Sequence, residues 1–101
     1  MKLDIADTIL AQLGGNRFIA MTGARNLAAD EDSLTFRLPA RFAKSGITHV
    51  RVTLTHADLY HMEFLKVRGT AAPVTVSEFA GVYNDQLRAI FTKQTGLETS
   101  L

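Results

Sequence analysis

The sequence predicts an α+β domain: an amino-terminal helix, a four- or five-stranded, mostly antiparallel sheet, and a carboxy-terminal amphipathic helix packed on one sheet face. Three patterns carry this expectation. Residues 4–13, DIADTILAQL, place Ala6, Ile9, Leu10 and Leu13 along one helical stripe. Residues 48–69 contain two alternating runs in succession. Near the end, Phe79, Val82, Tyr83, Leu87, Ile90 and Phe91 fall at i, i+3, i+4 spacing. At 101 residues the chain is expected to form one domain, 1–101, with a single core.

In the first helix Asp4 suits the cap, and Gly14 can take the left-handed conformation at the end. The stretch LGGNRFIAMTGARNL, 13–27, raises the question of a phosphate loop, because it gathers three glycines, a Thr-Gly pair and two arginines. Phosphate loops set their glycines after a strand and before a helix, so that N–H groups at the positive helix end face the anion. Here Gly14-Gly15 follow the helix and RFIAMTG, 17–23, reads as a strand ended by Gly23, which is the reverse order. Stopping and turning the chain is the expected work of these glycines.

NLAADEDS, 26–33, reads as a polar, acidic connection. LTFRL then alternates, with Leu34, Phe36 and Leu38 on one face and Thr35 and Arg37 on the other. Pro39 suits the first turn of a short helix, PARFAKS, that Gly46 would end.

The segment THVRVTLTHADLYHMEFLKVRG, 48–69, folds best about Ala57. That register pairs Leu54 with Tyr60, Val52 with Met62 and Val50 with Phe64, and sets Thr53 opposite His61 and Arg51 opposite Glu63. A slip of one residue would oppose Val52 to Glu63 and mix the faces. Asp58 is then a candidate for positive φ in the loop. A capping box from Thr55 to Asp58 opening a helix is the competing reading, and two alternating runs in succession favour the hairpin.

APVTVSE adds a short edge strand around Val74 and Val76. The last helix takes Ser77 as a possible cap and ends at Gly96, with Leu97 packing back over its last turn. Gly81 would cost on the order of 1 kcal/mol inside that helix, so an irregular stretch over 78–81 is the alternative start.

Composition excludes several functions. Hydrophobic residues at 47% and charged residues at 21% are ordinary for a globular domain. No apolar run approaches the roughly 20 residues of a membrane span, and Asp4 and Asp7 interrupt the stretch a signal peptide would need. The chain has no cysteine, which removes disulfides, thiolate chemistry and zinc-thiolate sites. Cytoplasm is the simplest compartment. Net charge is +1, but residues 17–68 hold eight basic against five acidic side chains, leaving a weakly basic centre between two weakly acidic ends.

His49, His56 and His61 are the general-base candidates near neutral pH. His49 and His61 share a face several rungs apart, too far to bind one metal; His56, Asp58 and His61 could approach around the loop, but a supported ligand set is lacking. Ser33, Ser45, Ser77 and Ser100 all fall where caps and turns use serine, and none sits in a nucleophile elbow. The expectation is a non-enzyme with no cofactor, metal or small-molecule substrate. Helices on one side of the sheet would leave the other face wet, and that face holds the residues on which a partner site is expected: Arg37, Arg51, Thr53, His61 and Glu63. A protein partner or a second copy, meeting this face, an edge strand or the tail LETSL, is favoured. Nucleic acid is the alternative, because Arg37 and Arg51, with Lys66 or Arg68, could neutralise phosphates, but the aromatic platform of single-strand binders is missing.

Three stretches together, LGGNRFIAMTGARNL, VRVTLTHADLYHMEFLKVRG and GVYNDQLRAIFTKQTGLETSL, resemble a family of small uncharacterised proteins encoded by bacteriophages, prophages and integrated mobile elements. The resemblance spans most of the chain outside 28–48. It implies context, an intracellular accessory protein acting on a host factor, a defence system or replication machinery, and no catalytic residue or cofactor.

Overall fold

The computed structural model describes residues 3–39, 43–55 and 57–99. The elements are α1 (Leu3–Leu13), α2 (Gly15–Thr22), β1 (Arg25–Ala29), β2 (Ser33–Arg37), β3 (His49–Leu54), β4 (Tyr60–Lys66), β5 (Val74–Val82) and α3 (Leu87–Thr95). Single 3-10 turns at Lys44–Gly46 and Asn84–Gln86 precede β3 and α3. The strands form one five-stranded antiparallel sheet in chain order, β1-β2-β3-β4-β5, and the helices pack on one of its faces. The α+β class and both terminal helices are as the sequence predicts.

The core lies between that face and the helices. Ile9 and Leu13 of α1, Phe18 of α2, and Leu87 and Phe91 of α3 are fully buried against Phe36, Val50, Val52, Met62 and Phe64. At its centre the Phe18 ring meets Phe36 edge-on at 5.3 Å and Phe91 at 5.1 Å. Both helical rings begin the same local device. Thr22 donates its hydroxyl hydrogen to the Phe18 carbonyl at 2.7 Å and accepts from the Ala24 N–H; Thr95 does the same with Phe91 and Leu97. Gly23 (φ 73°) and Gly96 (φ 77°) follow in the left-handed conformation, where an added Cβ would lie 2.9 Å from Pro39 and Lys44 respectively. FIAMTG and FTKQTG are thus two copies of one helix ending, Phe-x-x-x-Thr-Gly.

The first copy overturns the strand expected over 17–23. Phe18 and Thr22 are buried while Ala20 midway between them is exposed, which fits the period of a helix and not the alternation of a strand. Gly14 (φ 131°) and Gly15 (φ 63°) reverse the chain directly from α1 into α2. A helix precedes them instead of a strand, so the phosphate-loop order is absent from this geometry as well. Asp4 falls inside α1 instead of before it.

The acidic connection expected over 26–33 is mostly strand. β1 pairs with β2, and the Asp30 N–H donates to the Ser33 carbonyl at 2.9 Å to close the turn. All five β1 residues are exposed, so no alternation marks them; what recruits them is the free edge of β2, and a bulge at Asn26 (φ 55°) fits the segment to it. Of the helix expected over 39–45, residues 40–42 lie outside the described residues, and Lys44–Gly46 form only a 3-10 turn.

The hairpin has the predicted register at every rung, Leu54–Tyr60 through Val50–Phe64, and Asp58 has φ 61°. Thr55 donates to the Leu59 carbonyl at 2.9 Å, which closes the loop in place of the capping box.

The edge strand is longer than expected and takes the place of the first helical turns. Phe79 stands opposite Met62 and Val82 opposite Tyr60, with a bulge between them at Gly81 (φ 66°). That bulge turns a period of two into a step of three, which imitates a helix in the sequence. Ser77 therefore lies in the strand, its hydroxyl donating to Gln94 of α3 at 3.0 Å. The chain enters α3 after the Tyr83 N–H donates to Gln86 Oε1 at 2.9 Å. The tail after Gly96 is part of the domain: Leu97 and Thr99 are buried, and Arg88 donates to the Thr99 hydroxyl at 3.1 Å.

Truncating either ring at the centre of the core should destabilise the fold by about 3–5 kcal/mol. In urea denaturation, Phe18→Ala and Phe91→Ala are expected to lower stability by that amount each, and the double variant by less than their sum, because the rings touch. Strict additivity would show that the contact between them carries no energy.

Candidate functional site

Alternation along each strand places a second set of side chains on the sheet face away from the helices. Three rows cross it. Arg25, Arg37, His49, Leu65 and Thr75 form one; Thr35, Arg51, Glu63 and Glu78 the next; Ser33, Thr53 and His61 the third. All five residues expected there, Arg37, Arg51, Thr53, His61 and Glu63, lie on this one face, and no described helix covers it. Arg37 and Arg51 are exposed; Thr53, His61 and Glu63 are half-buried among their neighbours. Lys66 is out of phase with them and lays its chain against Gly46.

The rows sort charge by strand. Arg25, Arg37 and Arg51 stand on β1–β3, whereas Glu63 and Glu78 stand on β4 and β5. The acidic turn 30–32 lies at the strand ends, beyond these rows. Sequence reasoning misses Glu78, because a second register shift in β5, between Thr75 and Ser77, sets its phase. Its carboxylate Oε2 lies 2.8 Å from His61 Nε2, within hydrogen-bond distance. Arg51 and Glu63, although directly opposite, form no such pair.

His61, Glu63 and Glu78 present one ligand atom each within 4.8 Å of one another. A nitrogen and two carboxylate oxygens are a donor set that a divalent cation can use. Two carboxylates directly opposite repel. The grouping considered around the hairpin loop is different, since His56 lies outside the described residues and His61 faces β5.

His49 occupies the border between the sheet's middle and the Arg37 side. Burial, and secondarily the Arg37 guanidinium beside it, holds its pKa below the ordinary histidine value. The Thr48 hydroxyl, 2.8 Å from Nδ1, already accepts from the Val67 N–H and has its own hydrogen to donate to a neutral ring. Aromatic side chains suited to stacking bases are absent from the rows: Phe36, Tyr60 and Phe64 are buried on the other face, and Phe79 packs there against Phe64. On the far side of the molecule α3 and the tail border an open depression with mixed charge, Asp85, Arg88, Lys93 and Glu98.

Compared with protein-family models, with curated proteins and with solved structures, the chain matches none. No described helix is long and apolar enough to cross a membrane.

His49 gives the fold a definite pH dependence. Its folded pKa is depressed, so the unfolded chain takes up the proton first as pH falls, and the stability present above the ordinary histidine range is lost below it. His49→Gln is expected to flatten the decline in stability on acidification, read by thermal melts across pH. By NMR titration, Arg37→Ala should move the His49 pKa upward; a downward shift would contradict the assigned cause.

Proposed function

We propose that this chain is a non-enzymatic binding domain that engages a protein partner through the outer sheet face, with Arg37, Arg51, Thr53, His61 and Glu63 in the contact. The single observation that carries this reading is the segregation of charge across that face, arginines over β1–β3 and glutamates over β4–β5. Opposed patches of this kind steer and orient a partner bearing the complementary pattern. A phosphate backbone carries one sign of charge throughout, so it would be drawn to one half of the face and repelled by the other. The missing aromatic platform also weighs against single-stranded nucleic acid. The resemblance to proteins of bacteriophages and integrated elements supports a setting in the cytoplasm of a bacterial host, with a host or mobile-element protein as the target.

Two measurements test the reading together. Fluorescence anisotropy with labelled single- and double-stranded DNA and RNA is expected to give no binding at physiological salt. Capture from host lysate, followed by reconstitution with the purified partner, is expected to fail with the Arg37→Ala/Arg51→Ala/Glu63→Ala variant while the fold melts normally. Nucleic-acid binding that weakens steeply with salt and disappears in Arg37→Ala/Arg51→Ala would replace the protein partner with the alternative.

A further inference from the structure

We infer that the partner for which the outer face is built is a second copy of this chain, stacked face to face about a two-fold axis that runs parallel to the strands between β3 and β4. The inference rests on the reading of that face as a protein-binding surface and names its occupant. Its basis is the position of two unpaired opposite charges. Arg51 and Glu63 occupy one row on neighbouring strands, so they lie at equal distances on either side of the line between β3 and β4. Cross-strand neighbours of opposite charge ordinarily attract one another. Here no salt bridge joins them: Glu78 is the carboxylate bonded to His61, and a carboxylate oxygen of Glu63 lies within 4.8 Å of both.

A two-fold axis along that line has a definite consequence. Rotation about an axis parallel to the strands keeps each residue at its own level along the strand and exchanges the two sides of the axis. Arg51 of each copy then faces Glu63 of the other, and the contact occurs twice because a two-fold interface is isologous. The same operation sets β2 over β5, so that Arg37 stands one diagonal step from Glu78 of the second copy, and Thr53 faces His61. An axis perpendicular to the strands would instead lay β1 over β1 and oppose arginines to arginines. Stacked sheets stand about 10 Å apart with strands roughly aligned, a gap that an arginine and a glutamate reaching from opposite sides can close. Since the rows are polar apart from Leu65, the association is held mainly by charge and weakens with salt.

The test is sedimentation velocity on the full chain at low and physiological salt, with variants checked for folding by thermal melts. Wild type is expected to reach twice the 11.1 kDa chain mass, with the dimer fraction falling as salt rises. Arg51→Glu and Glu63→Arg each oppose like charges at both contacts and should weaken dimerisation by at least about tenfold. Mixing the two variants should restore it, because one copy then carries glutamate at both positions and the other arginine at both. The double variant Arg51→Glu/Glu63→Arg should dimerise as well, with each pair reversed. A wild type that stays monomeric, or a dimer indifferent to both reversals, overturns the second copy as occupant. If a captured protein is nevertheless lost with the triple alanine variant, the face binds a different protein and only its occupant was misassigned; if capture is also indifferent, the binding role of the face falls too.

Discussion

The contact of Phe18, Phe36 and Phe91 is the point on which the rest of this molecule depends. It joins α2, the second strand and α3, three elements distant in sequence, through rings whose centroids lie 5.1–6.1 Å apart. Edge-to-face packing of this kind adds direction to a hydrophobic contact that is otherwise indifferent to orientation. The two helical rings are each held by the same ending, a buried threonine that bonds back to the phenylalanine carbonyl and forward to the chain beyond a left-handed glycine. Both helices are therefore stopped at a fixed distance from their rings. The tail from Gly96 and the chain from Gly23 leave the core in defined directions.

Placing every described helix on one face has a consequence for the other. A small domain has only enough apolar surface for one core, and the alternating strands deliver it to the helical side. What remains outside is a polar sheet face with two edges, and on it charge is divided by strand. The division is invisible in the net charge of +1 and only faint in the charge of the sequence segments. It depends on which strands are neighbours and on which residues share a phase. The bulges at Asn26 and Gly81 interrupt both edge strands. Such irregularities discourage edge-to-edge pairing, which leaves the face as the surface better suited to a specific partner.

Much of that face is legible in the amino-acid sequence. Residues 48–69 specify their own register, since one slip would put Glu63 among the buried valines, and the pairing of Arg51 with Glu63 and Thr53 with His61 follows. Arg37 follows from the alternation of the preceding strand. Glu78 does not, because a register shift between Thr75 and Ser77 sets its phase, and the bulge at Gly81 makes Phe79, Val82 and Tyr83 resemble a helical stripe. The same local ambiguity conceals α2. RFIAMTG is short enough to read as a strand, and only the recurrence of Phe-x-x-x-Thr-Gly in FTKQTG, near the end of the chain, marks it as a helix ending.

Legible in the sequence alone are the α+β class, α1, the central hairpin with its register, the helix end at Gly96 and the outward residues of β2, β3 and β4. These are settled within a few residues of one another, by apolar period and by backbone preference. Only the tertiary structure decided the rest. β1 is a strand because β2 has a free edge, α2 is a helix because Phe18 must reach Phe36 and Phe91, and β5 bends at Gly81 to keep Phe79 and Val82 on the core side. Glu78 reaches His61 because a second register shift, between Thr75 and Ser77, turns it outward. In each case the local preference was weak, and the contact that resolved it came from another part of the chain.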